Sequence, residues 1–346
     1  MRMLRRLLPF FLLLLFTSCI DPVDTDLSTQ RKHLVVEGYF TNEASLNFVR
    51  LSYSQPHSSP YNEFEERAIV TVISNEGELY QFFYDKAGYY YASTFGEAKG
   101  VPGRTYTLNI TVGDQLYQSE SVVMREPIAI DSIQFEVTEQ TFAFPGEREK
   151  QLLPGYNVLV DYKDPVEEKN FLRWSFATQY EVRTQPQDYI HPFTGLPAPK
   201  DCCTQCFLEE NLEQLKVIDD RLTNGKNVLR QNVLFIPFEK YLGVKNKLTL
   251  YQHSISEDAY NFFRILEQQK LATGTVFDPP PAEVKGNITS VNNTSEQVIG
   301  FFDVSGVTSK QVTILRNDID YPVIPFRYPD DCRVMKNATP IIPEGW

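Results

Sequence analysis

The sequence predicts a mainly β protein with two β-rich domains, and three observations support this prediction. Its 346 residues suffice for two domains at about 150 residues each. The 42% hydrophobic and 23% charged content suits a packed core rather than a disordered chain. Proline (22) outnumbers glycine (17), while phenylalanine (24) and tyrosine (19) are abundant, so turn-forming and strand-forming residues are both frequent.

The N-terminal domain is predicted over residues 33–126, where short strands alternate with turn signals. The predicted strands are 33–39, 47–54, 68–73, 79–84, 89–92, 105–112 and 115–124. Residues 85–88 between two of them are typical of a hairpin turn. About seven strands at intervals of 8–12 residues are typical of an immunoglobulin- or transthyretin-like β-sandwich. We predict that fold here, and it specifies no function.

Pro127 ends this pattern, and residues 127–346 are predicted to form a larger β-rich domain with one amphipathic helix. Its predicted strands are 132–137, 156–162, 171–182, 228–237, 247–252, 297–304 and 311–316. Proline-rich stretches cover 183–200 and 277–286. The helix is predicted near 257–271 because apolar residues recur there at helical spacing, and Ser254 or Ser256 can cap its start.

Residues 1–18 have the three parts of a secretory signal peptide. Three arginines form the basic start, residues 7–16 are apolar, and two small polar residues precede Cys19. The apolar run is too short for the roughly 20 residues that span a bilayer. Cys19 in this position resembles the lipobox of bacterial lipoproteins, which implies cleavage before Cys19 and its lipidation. An ordinary secretory signal with an incidental cysteine is the alternative.

Residues 19–32 are predicted to be an acidic tether. Asp21, Asp24 and Asp26 resemble the acidic export signal that carries lipoproteins of Bacteroidota to the cell surface. The alternatives are a solvated tether and a calcium loop. A calcium loop is disfavoured because the segment lacks the glycine and the closing glutamate of an EF-hand. Two or more acyl chains anchor a protein stably. We therefore expect a lipid-anchored protein on the outer membrane, facing the cell exterior.

The chain is acidic, with a net charge of -12 and a pI near 5.0. Loss of the three signal-peptide arginines would bring the net charge to about -15. This balance excludes nucleic acid as a partner, since nucleic-acid binding needs a basic surface. Anionic lipid would repel such a chain, so the acyl chains must provide the attachment.

Four cysteines remain beyond Cys19. Cys202, Cys203 and Cys206 share one loop, and Cys332 lies 126 residues beyond Cys206. Four thiolates could form a zinc site, but a secreted chain meets an oxidising compartment in which disulfides are expected. We predict two disulfides and no metal or other cofactor. Because a bridge between adjacent cysteines is strained, Cys332 is expected to pair with Cys202 or Cys203, and Cys206 with the other.

The sequence contains none of the phosphate-loop, dinucleotide, nucleophile-elbow or zinc-protease motifs, so we predict that the protein is not an enzyme. His253 is expected to be a neutral, hydrogen-bonded imidazole. Carboxylates at Asp161, Asp164, Glu167 and Glu168 could form a glycosidase pair, although the segment is typical of a turn. Aromatic runs at 82–84 and 89–91 are expected to pack in the core, with a sugar-stacking platform as the alternative.

Five phrases in chain order resemble a known family. They are C-x-D-P-x-x-x-D-L (19–27), L-V-V-E-G-x-x-T-N-E (34–43), D-P-x-E-E-K-N-F-L-R-W (164–174), H-S-I-S-E-D-A-Y (253–260) and F-D-P-P-P-A-E-V-K-G-N-I (277–288). Together they are similar to the domain of unknown function 4249 family, lipoproteins of Bacteroidota. Genes of that family often neighbour genes of TonB-dependent outer-membrane transporters. The family has no established activity, so it offers no catalytic residue to assign in this sequence.

The resemblance implies a non-enzymatic binding or accessory lipoprotein that works with a TonB-dependent transporter on a ligand that the sequence does not identify. The alternatives are a surface hydrolase acting on peptide or glycan, and a structural protein of the envelope.

Overall fold

The computed structural model describes residues 32–55, 61–92, 98–142, 151–271, 284–322, 328 and 330–346. Within these ranges the chain is mainly β, as predicted. The strands are β1 Leu34–Thr41, β2 Phe48–Tyr53, β3 Glu63–Phe64, β4 Ile69–Ser74, β5 Leu79–Tyr84, β6 Tyr89–Ala92, β7 Thr105–Val112, β8 Gln115–Ser119, β9 Val122–Val123, β10 Ser132–Phe142, β11 Gln151–Lys163, β12 Phe171–Arg183, β13 Gln205–Asp219, β14 Asn227–Pro237, β15 Lys245–Ser254, β16 Ile288–Ser290 and β17 Ile299–Leu315. The helices are α1 Phe238–Tyr241 and α2 Glu257–Leu271.

The N-terminal strands form a sheet that folds over on itself around one core. Alternate residues of β7 point inward, so that Tyr106, Leu108 and Ile110 are buried, as strand geometry requires. Phe40 of β1 lies 4.8 Å from Tyr106 between ring centroids, although β1 and β7 are not neighbours in the sheet. The two layers agree with a sandwich, while its immunoglobulin- or transthyretin-like character stays a prediction.

This N-terminal core also includes residues from far down the chain. β16 pairs with β8, and the first half of β17 pairs in parallel with β1, from Val35 and Ile299 to Thr41 and Ser305. Phe302 of β17 is completely buried in the same core. The core therefore extends beyond the boundary predicted at residues 126 and 127, because a strand from the C-terminal region completes its sheet.

The C-terminal core lies between two layers. Strands in the order β13-β12-β15-β17 continue the long sheet, and a separate sheet β10-β11-β14 packs over them. The second half of β17 pairs with β15, so the two strands predicted at 297–304 and 311–316 are one continuous strand. The pairing of β17 changes from β1 to β15 between Ser305 and Gly306. Glycine is needed at 306 because a Cβ there would overlap the carbonyl oxygen of Arg125.

Helix α2 is confirmed over Glu257–Leu271. Its cap is Ser256, whose hydroxyl accepts a hydrogen bond from the backbone N–H of Ala259 at 3.1 Å. The other candidate, Ser254, instead accepts from the backbone N–H of Ile128 at 3.2 Å. The apolar face of α2 packs on the long sheet through Phe263. No helix among the described residues is long and apolar enough to cross a membrane.

Candidate functional site

The residues predicted to anchor and export the protein lie outside the described residues. They are Cys19, Asp21, Asp24 and Asp26. Lipidation and surface export therefore stay predictions.

An open groove of about 1740 Å³ lies beside the C-terminal core, between β12, β13 and the start of α1. Glu210 of β13 is one of the residues that line it, and together with Tyr180, Lys240 and Tyr241 it forms what we call the Glu210 centre. Its carboxylate accepts hydrogen bonds from the Tyr180 hydroxyl at 2.9 Å and from Lys240 Nζ at 2.8 and 2.9 Å. The Tyr180 and Tyr241 rings meet edge to face at 5.1 Å. Two aromatic rings, a carboxylate and an ammonium group are thus held in fixed positions before any ligand binds.

Burial and the charge of Glu210 keep the two phenols of this centre protonated. Burial, followed by the charge of Glu210, raises the pKa of Tyr180 well above its ordinary value, so the phenol stays a hydrogen-bond donor. The pKa of Tyr241 is raised by the same two causes in the same order. The rings of Tyr180 and Tyr241 are themselves buried, so the centre presents the Glu210 carboxylate and the Lys240 ammonium group to a ligand, and the two rings hold these polar groups in place.

β13 and β14 lie at the ends of the two different sheets that border the groove. The side chain of Gln214 connects them: its Nε2 donates to the Phe235 carbonyl at 2.6 Å, and its Oε1 accepts from the Phe235 backbone N–H at 3.2 Å. Further along β13, Glu209, Asn211 and Glu213 are exposed. β13 is the last strand of the long sheet, so a stretch of its edge beyond the bridge between Phe207 and Thr339 borders the groove.

Sequence reasoning missed this centre. Tyr180, Glu210 and Lys240 come from three elements and have no motif in common. The available signal was that Glu209, Asn211 and Glu213 alternate with Leu208 and Leu212, which indicates a strand with one solvated face. That segment was not predicted as a strand.

The two disulfides form at the end of the groove, but their predicted pairing is wrong. Cys206 is bridged to Cys332 with 5.8 Å between their Cα atoms, and Cys202 is bridged to its neighbour Cys203. The reason is register. Thr339 pairs with Phe207 through two backbone hydrogen bonds of 2.8 and 3.0 Å, which brings the C-terminal segment alongside the buried Cys206.

The zinc alternative requires thiolates, whereas all four sulfur atoms are in disulfides. The sulfur atoms of Cys202 and Cys203 lie within 4.8 Å of each other and of an Asp331 carboxylate oxygen. Asp331 is already bound by Arg333, and these hydrogen bonds hold its pKa well below its ordinary value. The group is better explained as a structural clamp than as a metal site.

A buried polar cluster lies where α2 covers the long sheet. Arg173, 6% exposed, makes an ion pair with Asp303, 1% exposed, at 3.2 Å. The guanidinium also lies 4.9 Å from the ring centroids of both Tyr39 and Phe263, which are favourable cation–π contacts. Burial raises the pKa of Asp303, and the Arg173 charge opposes this rise.

His253 belongs to this cluster. Its Nδ1 is 3.3 Å from Arg173 Nη2 and 3.2 Å from Ser305 Oγ, and its Nε2 is 2.8 Å from Ser175 Oγ. A guanidinium can only donate, so Nδ1 is the acceptor and Nε2 carries the proton. Burial and then the Arg173 charge lower the pKa of His253 well below its usual value, which leaves a neutral imidazole as expected.

This tautomer bears on catalysis. Because Nε2 of His253 donates to Ser175, it cannot accept the Ser175 proton, which a nucleophile–base pair requires. Ser175 and His253 therefore resemble a hydrolytic dyad only in the distance between Ser175 Oγ and His253 Nε2. Its role is to satisfy buried polar groups between the strands.

The acidic segment considered for glycoside hydrolysis also has structural roles. Asp161 accepts from the Ser132 hydroxyl at 2.5 Å and from the Arg230 backbone N–H at 2.7 Å. Asp164 accepts from the Gly225 backbone N–H at 3.0 Å. These bonds connect neighbouring strands and turns.

The aromatic runs divide by strand alternation. Phe82 and Tyr90 are buried at 2% and 1% exposure, as the core prediction requires. Phe83 and Tyr91 point outward and are 53% and 42% exposed. The register places Phe83 directly beside Tyr91, so an aromatic pair does lie on the outer face of the sheet.

The fold and the groove together define a two-core β protein with a surface cleft suited to binding. The family model described as domain of unknown function (DUF4249) matches residues 20–311, and the chain belongs to that family. Neither a curated protein nor a solved structure matches the chain.

Proposed function

We propose that this protein is a surface-exposed lipoprotein of the outer membrane that acts as a non-enzymatic binding or accessory partner of a TonB-dependent transporter. The observation that supports binding is the groove lined by Glu210 and Lys240, whose charged groups are already oriented by each other and by the buried Tyr180 hydroxyl. Preorganised groups lose little conformational freedom on binding, which favours affinity. The family resemblance supports the transporter as the partner.

The strand edge beside the groove suggests how a partner segment would bind. β13 is paired along one side by β12, and on the other side it is the last strand of the long sheet. An extended peptide can add to such an edge by main-chain hydrogen bonds, while pockets beside the edge select its side chains. Lys240 and Glu210 would meet polar groups of that segment.

Purification of the tagged, membrane-bound protein from its own cells in mild detergent tests this proposal. We expect a β-barrel transporter in stoichiometric amount. The variant Glu210→Gln keeps the shape of the side chain but loses its charge against Lys240, so the affinity for the partner should fall by about 10-fold or more. The matched control is Glu120→Gln, because Glu120 is an exposed glutamate beside the N-terminal core, away from the groove.

Two outcomes would overturn the proposal. One is that the protein is recovered without a transporter, or that a recovered transporter binds Glu210→Gln and Glu120→Gln with equal affinity. The other is turnover of a glycan or peptide substrate by the purified protein, which would replace it with the hydrolase alternative.

The anchoring part of the proposal has its own variants. Cys19→Ser should yield a protein that is soluble after cell lysis, and continued partition with outer membranes after a salt wash would contradict lipidation. Replacing Asp21, Asp24 and Asp26 together by alanine should reduce protease accessibility on intact cells while membrane attachment persists. Unchanged surface labelling would exclude the export signal.

A further inference from the structure

The proline-rich stretch between β12 and β13 folds as a short hairpin. Ile190 and Pro197 form an antiparallel bridge at its centre. Toward the tip, the His191 backbone N–H donates to the Leu196 carbonyl at 3.0 Å, and that of Gly195 donates to the His191 carbonyl at 2.9 Å. Gly195 has φ of +66°, which favours glycine at the turn. The stretch is thus an ordered projection.

The tip of this hairpin is apolar and exposed. Phe193 is 93% exposed, Leu196 is 65% exposed and Ile190 is 58% exposed. Residues 189–199 contain no aspartate, glutamate, lysine or arginine, although 23% of the whole chain is charged. Three large apolar side chains grouped on one projection mark an interaction surface.

The base of the hairpin is held in place. Lys200 forms an ion pair with Asp330 and lies 4.0 Å from the centroid of the Tyr189 ring. The Thr184 backbone N–H donates to the Thr204 carbonyl at 2.9 Å, and the Cys206–Cys332 bridge follows directly. A tip presented on such a base loses little conformational entropy when it binds.

We infer that this hairpin tip docks into an apolar pocket on a protein partner. A convex tip with one large aromatic residue matches the anchor side chains that fill pockets at the centres of protein interfaces. The base residues Gln185 and Thr204 also line the groove, so a partner in the groove would reach the hairpin. The inference nevertheless concerns a different contact from the Glu210 centre.

The charges favour a protein over a lipid surface. The exposed acids Asp188 and Asp201 flank the tip, and Lys200 of the same hairpin is bound by Asp330. Insertion at an anionic membrane surface normally relies on exposed basic residues beside the apolar ones. The residues that flank this tip are exposed acids instead.

A photocrosslinker tests the contact in the cells that make the protein. We would place p-benzoylphenylalanine at position 193 and, as a matched control, at position 222, where the native leucine is 85% exposed in the turn before β14. We expect a single protein cross-linked at 193 and not at 222, identified by mass spectrometry. The purified partner should then bind Phe193→Asp about 10- to 100-fold more weakly than the parent, and Leu222→Asp unchanged.

Circular dichroism of Phe193→Asp should match that of the parent, since the side chain is exposed. Equal cross-linking at both positions, cross-linking to lipid or to a second copy of this chain, or unchanged affinity of Phe193→Asp would each overturn the inference. A partner cross-linked at 193 that is not a transporter would support this inference, and the proposed function would then depend on the purification experiment alone. A co-purifying transporter without cross-linking at 193 would support the proposed function and contradict this inference.

Discussion

Removal of the Cys206–Cys332 bridge should destabilise the protein strongly. The bridge joins residues 126 positions apart, and closing a loop of that length removes about 5 kcal/mol of conformational entropy from the unfolded chain. Both cysteines are completely buried, so alanine is the conservative replacement. We expect Cys206→Ala with Cys332→Ala to lower the free energy of unfolding by about 3–5 kcal/mol and the melting temperature by about 4–7 °C.

The other disulfide provides the control. The bridge between Cys202 and Cys203 closes a loop of adjacent residues, so the same entropy argument gives only about 1 kcal/mol. Calorimetry of the two double-alanine variants measures the difference, and non-reducing peptide mapping of the parent checks the pairing. Equal destabilisation by both variants, or a peptide linking Cys332 to Cys202 or Cys203, would refute the reasoning.

Three further predictions concern the cores. Arg173→Met leaves Asp303 buried without its cation and should cost about 3–5 kcal/mol in urea unfolding, most of which Arg173→Met with Asp303→Leu should recover. The folded-state pKa of His253 lies well below the unfolded value near 6.5, so the free energy of unfolding should fall by about 1.4 kcal/mol between pH 7.5 and 5.5. His253→Gln should remove this part of the pH dependence, and an unaltered dependence of the free energy of unfolding on pH would contradict the neutral imidazole. Phe302→Ala should lower the free energy of unfolding by about 3–5 kcal/mol, whereas Phe83→Ala, at an exposed position, should lower it by less than about 0.5 kcal/mol. Equal losses of stability in the two variants would contradict the assignment of the N-terminal core.

Local pattern was sufficient for much of the fold. In β7 the alternation of Tyr106, Leu108 and Ile110 with polar residues follows directly from a strand with one buried face. In α2 the helical spacing of Tyr260 and Phe263 likewise gave the correct element. Both signals arise from neighbours in sequence, which is why they are readable.

The elements that position the site were less accessible. β13 was missed because glutamates on its outer face, such as Glu209 and Glu213, make the segment hydrophilic overall. The disulfide pairing depended on the register between Phe207 and Thr339, which no local pattern encodes. The Glu210 centre likewise depends on how β12, β13 and α1 come together.

The double pairing of β17 makes the two cores depend on one another during folding. Its first half closes the N-terminal sheet against β1 and its second half pairs with β15, so neither core is complete before this strand arrives. Val35 and Ile299 are 264 residues apart, and contacts of such long range slow folding. Until β17 has been synthesised and can pair with it, one edge of β1 is unpaired and open to association with other chains. Chains truncated before residue 299 should therefore aggregate rather than yield a folded N-terminal fragment.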